Sequence, residues 1–362
     1  MEAVKAFQLE GKIQEVIPYG NGHINDTYLI TTKTEQGDKR YVLQKMNRSI
    51  FKNPEELMEN IVNVTNYLRE QIVKNGGNPL RETLNVVNTV ENKSFYKDET
   101  GEYYRMYYFI ENAVSLEQVT KPEEFYESAV AFGRFQKMLA NYPADSLHAT
   151  IENFHKTTMR LENLKQAVEE DAYKRAAKVK QEIEFIMNRE KEAGTLDRLL
   201  KEGQLPLRVT HNDTKLNNVM LDNHTKKGIC VIDLDTVMPG LSLHDFGDAI
   251  RFGASTAAED EKDLRKVSCS MELYQNFVRG FLKECGSSLT KLEIELLPMG
   301  AKIMTLECGI RFLTDYLQGD VYFKTHREAQ NLDRCRTQLK LVQDMEEKWE
   351  KMQQIIVEQQ QL

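Results

Sequence analysis

No stretch of the sequence is apolar for long enough to span a bilayer. The start, Met1-Glu2-Ala3-Val4-Lys5, lacks the charged-then-apolar pattern of a secretory leader, so a cytoplasmic protein is expected. Cysteine is scarce: Cys230, Cys269, Cys285, Cys308 and Cys335 are odd in number, widely spaced and contain no CxxC pair. That excludes a disulfide framework or a zinc site of familiar spacing and points to reduced thiols. A basic surface is missing too. With 48 Lys and Arg against 56 Asp and Glu, the net charge of −8 argues against a nucleic-acid partner, which needs concentrated positive charge. There is no internal repeat, low complexity is confined to the Gln-rich C-terminal tip, and no feature calls for a protein partner.

What is present is an ordinary globular composition, 41% hydrophobic and 29% charged over 362 residues, enough for a large core divided between two lobes. Lys12 to Tyr19, Thr27 to Thr32 and Lys39 to Met46 read as strands, the first two joined by a glycine-rich turn. Asn53-Pro54-Glu55-Glu56 reads as an N-cap, a first-turn proline and two acids, opening a helix that runs to about Val73 before Asn75-Gly76-Gly77. Strand-like runs follow at Leu84 to Val90, Lys93 to Tyr96 and Tyr103 to Ile110. From Pro122 helical periodicity dominates: Phe125, Phe132, Phe135, Met138 and Leu139 share one face, and Thr158 to Leu200 reads as one or two solvent-facing helices. A short β interlude spans Leu207 to Asp235. The expected fold is α+β and protein-kinase-like: a small N-lobe, 1–111, with an antiparallel sheet and one helix, and a larger, mainly helical C-lobe, 112–362. The last helix carries Val342, Met345, Trp349, Met352 and Ile356 at heptad spacing, which suits packing on the domain body or a two-chain coiled coil.

The string His211-Asn212-Asp213-Thr214-Lys215-Leu216-Asn217-Asn218 has the form of a kinase catalytic loop, H-x-D followed by four residues and Asn. The spacing has a cause: Asp213 must accept a hydroxyl proton while Asn218, about one turn onward, reaches a Mg²⁺ on ATP phosphates. Twenty positions after Asp213, the apolar run Gly228 to Ile232 ends in Asp233-Leu234-Asp235. Carboxylate oxygens suit Mg²⁺, so Asp233 is the first choice as second ligand and Asp235 the alternative. The literal string Asp245-Phe246-Gly247 resembles a kinase metal motif but opens a helix rather than ending a buried strand. Asp245 is therefore read as a hydrogen-bonding support of the catalytic loop. In the turn Gly20-Asn21-Gly22-His23, Gly20 and Gly22 let backbone N–H groups approach phosphates. Gln44 stands where kinases place a phosphate-binding lysine, and the adjacent Lys45 belongs to the opposite strand face. Either a bulge shifts the pairing or a neutral Gln does the work, and a non-catalytic nucleotide-binding scaffold stays open. By fold analogy adenine sits against the lobe connection, on backbone groups near Phe109 to Glu111.

Only eleven residues separate Asp233 from Asp245, too few for the activation segment that binds a peptide, so a small-molecule acceptor is expected. This compactness resembles the aminoglycoside and choline kinase superfamily. Within it the chain resembles the bacterial N-acetylhexosamine 1-kinases. The matching strings are Tyr19 to Asn25, Arg208 to Asn218, Ile232 to Thr236, Asp245 to Asp248 with Ile250 to Thr256, and Glu307 to Leu313, within about Gly11 to Met345. The resemblance implies ATP- and Mg²⁺-dependent phosphorylation of the anomeric hydroxyl of GlcNAc or GalNAc. It also implies a sugar pocket lined by His23, Phe252, Arg311 and Tyr322, with Asp213 at the reacting hydroxyl. Plain readings stand beside these: a Glu307–Arg311–Asp315 salt-bridge ladder at i, i+4, i+8, Phe252 in the core, His23 capping a hairpin. An amino-alcohol or aminoglycoside kinase is the alternative on the same scaffold.

Overall fold

The structure, a computed structural model, describes residues 2–20 and 24–360. The expected phosphate-turn residue Gly22 and sugar-site residue His23 lie outside these. The chain divides into two compact units: Met1–Ser115, Asn141–Glu152 and Val219–Pro239 form one, and Leu116–Ala140, Asn153–Asn218 and Gly240–Leu362 the other.

In the first unit, β1 (Lys12–Pro18), β2 (Asp26–Thr34), β3 (Gly37–Lys45), β4 (Tyr96–Lys97) and β5 (Tyr103–Tyr108) build a five-stranded antiparallel sheet, in the order β1-β2-β3-β5-β4. Alternation drives one face inward: Ile30, Tyr41, Leu43 and Met106 are fully buried with Val4, Phe7 and Val87. Helix α1 (Pro54–Lys74) begins at the proline, as expected, and buries Leu57, Met58, Ile61, Val64, Leu68 and Ile72. Asn53 makes no side-chain cap; its amide donates instead to Glu56 at 3.0 Å. The helix stops where Gly76 takes φ +74°, a conformation other residues resist.

The run Leu84 to Val90 is not a strand. Asn85 turns its side-chain amide onto the carbonyls of Pro79 (2.9 Å) and Thr83 (2.8 Å), a local alternative to ladder pairing, and only isolated bridges at Val86 and Thr89 remain. A second sheet joins β6 (Ala113–Val114), β8 (Val219–Asp222) and β9 (Gly228–Val231) in the order β6-β8-β9; β7 (Arg208–Thr210) belongs to the other unit.

The second unit is mainly helical. Its longer helices are α2 (Pro122–Met138), α3 (Thr157–Glu170), α4 (Ser242–Gly253), α5 (Met271–Cys285), α6 (Leu297–Leu317), α7 (Gln330–Glu347) and α8 (Trp349–Gln360). The segment expected as one or two solvent-facing helices breaks at Asp171, which is left-handed at φ 37°, and continues as shorter helices. Nor does it only face solvent: Leu161, Leu164, Ala167, Ile186 and Ala193 are buried against α6 and α7 side chains. The C-terminal heptad is not one helix, because α7 and α8 meet at Lys348, whose ammonium binds Asp344 (2.7 Å) and the Cys269 carbonyl (3.0 Å). Met345, Met352 and Ile356 are buried with Phe277 and Phe281 in the unit's largest core. The apolar stripe therefore packs on the domain body. All five cysteines are unpaired, and no helix among the described residues is long and apolar enough to cross a membrane.

Candidate active site

In the helical unit the candidate catalytic loop leaves β7 and is fixed from below by the first turn of α4. Asp245, buried there, accepts the N–H of His211 (2.9 Å) on one oxygen and that of Asn212 (2.7 Å) on the other; the Gln136 amide donates to the first. The Asp245 carbonyl accepts the Thr214 hydroxyl, and Asp248 accepts the Thr214 N–H at 3.1 Å. Burial pushes the Asp245 carboxyl upward, opposed by these donors. Asp245 thus supports the loop, as the sequence suggested. Close approach of α6 allows this: a Cβ on Gly247 would lie 2.4 Å from the Gly300 carbonyl oxygen.

The loop can hold a left-handed Asn212 (φ 63°) because both of the backbone N–H groups at the bend are bound by Asp245. Its product is a half-exposed Asp213 whose two oxygens have separate partners: Lys215 Nζ at 2.7 Å from Oδ1 and Asn218 Nδ2 at 3.1 Å from Oδ2. Burial would lower the Lys215 ammonium, but Asp213 and Asp248 outweigh it and hold its pKa above the usual lysine range. His211 is fully buried. Its ring lies edge-on to Phe132 and Phe135, and its Nδ1 accepts the Asp213 N–H at 3.3 Å.

The alternative reading of Glu307, Arg311 and Asp315 as a salt-bridge ladder does not hold, since no ion pair joins them. Glu307 faces His155 Nδ1 (3.0 Å) and accepts the Thr157 hydroxyl (2.6 Å), while His155 Nε2 lies 3.2 Å from the Asn212 carbonyl. Burial would raise Glu307, but His155, Thr157 and, at longer range, the Arg311 charge hold its carboxyl down at about 2. Asp315 accepts the N–H groups of Val321, Tyr322 and Phe323 at 2.8–3.0 Å, fixing the turn that carries two aromatic rings. Arg311 is left without an ion pair or hydrogen bond among the described residues, its guanidinium 5.8 Å from the Phe154 ring centroid, 5.9 Å from Tyr322 and 5.4 Å from Phe323. Beside it Arg160 donates to the Phe154 carbonyl at 2.9 Å, and its buried Nε has no partner. Tyr322 is exposed and Phe252, near the end of α4, is half-buried rather than core.

In the sheet unit, β9 leads to the two acids, which sit in different surroundings. Asp235 is buried and committed: one oxygen pairs with the Arg105 guanidinium, and the other accepts Asn25 Nδ2 at 2.7 Å. Asp233 is exposed and left-handed (φ 58°). Gln44 faces Arg105, with Lys45 turned away to Glu102 at 3.5 Å. Gly20, left-handed at φ 76°, enters the expected phosphate turn. At the expected adenine edge two backbone groups have internal partners: the Phe109 N–H donates to the Arg40 carbonyl (3.1 Å), and the Glu111 carbonyl accepts from Arg81 (3.0 Å). Glu111's carboxylate pairs with Arg40, whose guanidinium lies 4.0 Å over the Phe109 ring.

No group of three or more His, Cys, Asp or Glu side chains among the described residues could by itself enclose a metal ion. Mg²⁺ takes one or two protein oxygens and completes its shell with water and phosphates. The Asp233 carboxylate is of that kind, and so is the Asn218 amide oxygen, since Nδ2 is the atom turned to Asp213.

The sequence profile of the phosphotransferase enzyme family (APH) matches residues 15–275, more than half of the chain and including the catalytic loop and both acids. The chain belongs to the phosphotransferase enzyme family. Its fold is shared with solved relatives of that aminoglycoside and choline kinase type. An aminoglycoside phosphotransferase from Alicyclobacillus acidocaldarius aligns with a TM-score of 0.60 at 13% identity, covering 99% of this chain and 95% of its own. A choline kinase from Cryptosporidium parvum gives 0.56 at 15% identity, covering 94% and 91%. A spectinomycin phosphotransferase in complex with ADP and spectinomycin gives 0.54 at 13%, covering 97% and 95%. This phosphotransferase therefore has the α+β, kinase-like fold expected from its sequence and is a small-molecule kinase by family. Three contributors escaped the sequence reading. Lys215 stood within the motif and was legible as a cation two residues from the base. Arg105 was visible only as a charge in an aromatic strand. His155 left no signal.

Proposed function

We propose that this kinase transfers the γ-phosphoryl group of ATP to the anomeric C1 hydroxyl of an N-acetylhexosamine. The observation that carries the reading is Arg311, a cation among three aromatic rings that makes no ion pair or hydrogen bond among the described residues, with Glu307 acting on it only at longer range. A guanidinium donates to hydroxyl and carbonyl oxygens, and an aromatic face packs on pyranose C–H groups. The same cation, with Arg160 beside it, repels the ammonium groups of amino-alcohols and aminoglycosides, which call for carboxylates instead. Arg311, Tyr322 and Phe252 are assigned to the sugar, together with His23 by its place in the sequence.

Asp213 orients the acceptor hydroxyl, with Lys215 and Asn218 fixing which way its oxygens point. The sugar oxygen bonds to the γ-phosphorus as the bond to the β–γ bridging oxygen breaks; the hydroxyl proton passes to Asp213, and ADP leaves. Asn218 and Asp233 are the oxygen ligands assigned to Mg²⁺, which when bound offsets charge on the phosphates. Gly20 and Gly22 are assigned to the phosphates, and the chain near Phe109 and Glu111 to adenine. Most of the acceleration then comes from positioning and electrostatics. The test is an acceptor panel with Mg·ATP, read by ADP release: GlcNAc, GalNAc, choline, ethanolamine and an aminoglycoside. Turnover confined to the acetamido sugars supports the proposal. Turnover confined to the cationic acceptors sinks it.

A further inference from the structure

Kinases ordinarily place a lysine on the third strand, where its charge serves both the nucleotide phosphates and a carboxylate. In this chain that position is Gln44, and Lys45 faces Glu102. The ladder between β3 and β5 sets Arg105 directly opposite Gln44. Arg105 Nε and one terminal nitrogen donate to Gln44 Oε1 at 2.9 and 2.8 Å, and the other terminal nitrogen pairs with Asp235. Gln44 in turn donates to the Thr27 hydroxyl at 3.2 Å. The second Asp235 oxygen is bound by Asn25, which follows the glycine-rich segment in sequence and also accepts the Asn47 N–H at 2.9 Å.

Arg105 is 1% exposed, and a charge so buried persists only with a partner. Burial would lower its pKa, but Asp235 holds it above the ordinary arginine range. Asp235 is neutralised in this way, while Asp233, two residues earlier and also acting on the Arg105 charge, is the exposed acid of the turn. At position 105 itself a lysine would keep the charge but lack the planar fork that meets the Gln44 amide and the Asp235 carboxylate together. A second cation at position 44 would face Arg105 across the ladder, which accounts for a neutral acceptor there.

We propose that Arg105 has taken over, from the neighbouring strand, the work of the missing third-strand lysine: it is the positioning residue that fixes the Asp233–Asp235 turn and the Asn25 end of the glycine turn for a Mg²⁺-bound nucleoside phosphate. The inference rests on the kinase reading of the site but not on the identity of the acceptor.

The test uses the full chain and needs no acceptor. ADP is titrated calorimetrically with and without Mg²⁺ into wild type, Arg105→Gln, Gln44→Lys and the double variant, with circular dichroism confirming the fold. Arg105→Gln is expected to weaken Mg·ADP binding about tenfold or more, and metal-free ADP binding much less. Gln44→Lys sets two cations together and is expected to weaken it too. The double variant, which restores the ordinary arrangement, is expected to bind Mg·ADP more tightly than either single change. Wild-type Mg·ADP affinity in folded Arg105→Gln overturns the proposal, and so does a double variant no better than both single ones. If Arg105→Gln does not fold, Arg105→Lys carries the test: it keeps the charge and loses the fork, so weakened Mg·ADP binding is expected and unchanged affinity overturns the proposal. Failure of every sugar as an acceptor would leave these titrations unaffected.

Discussion

Asp245 accepts the N–H of Asn212 at 2.7 Å, and the residue so held has left-handed backbone and precedes the candidate base. The acid that resembles a kinase metal ligand in sequence is thus a buried brace for the loop. Asp245→Asn exchanges one acceptor oxygen for a donor that faces N–H groups. The expected loss is about 1–3 kcal/mol of folding stability, the cost of a buried unsatisfied donor. Turnover should fall while the Mg²⁺ concentration for half-maximal rate stays unchanged. Chemical denaturation and a Mg²⁺ titration of the rate check both; a shifted Mg²⁺ requirement would return Asp245 to the metal.

Asp213→Asn keeps the shape of the loop and removes the proton acceptor. Turnover should drop by at least ~100-fold, the lower end for a general base, with nucleotide binding retained. Steady-state rates and an ADP titration decide it. A near-normal rate removes Asp213 from the role.

Arg311→Met keeps the side chain's apolar length and removes its donors. Loss of hydrogen bonds from a charged group should raise KM for the sugar by about 10- to 100-fold and leave KM for ATP nearly unchanged. Equal rises in both constants would point to general damage instead.

Glu307 adds an acid-dependent contribution to stability. Its folded pKa of about 2 lies below the ordinary 4.5, so its contribution is fully present above pH 4.5 and is lost as pH falls toward 2. The size is about 3 kcal/mol from the usual conversion of a pKa difference. In Glu307→Gln that part of the acid dependence should disappear, so the stability gap between variant and wild type narrows from pH 5 downward. Denaturant midpoints measured across that range test it; a gap constant with pH contradicts the assignment.

The fold class and the loop that carries Asp213 were legible because both rest on local pattern: alternating strands, a proline-led helix, and a motif whose spacing follows from chemistry. Errors arose where a side chain had a choice of partner. Leu84 to Val90 has a strand's composition, but the Asn85 amide takes backbone carbonyls that the ladder would have left alone. Glu307, Arg311 and Asp315 have ladder spacing, yet His155 and the Val321–Phe323 turn claim the two acids and leave the arginine without an ion pair among the described residues. The Gln44–Arg105 exchange was illegible for a different reason. Strand register decides which residues face each other, and the sequence shows that a lysine is missing without showing where the replacement charge comes from.

The most direct measurement is ³¹P NMR of the product formed from Mg·ATP and GlcNAc or GalNAc, with Asp213→Asn run in parallel. The account predicts a new phosphate signal split by the anomeric proton and absent for the variant. A phosphate bonded at any other sugar carbon would contradict it.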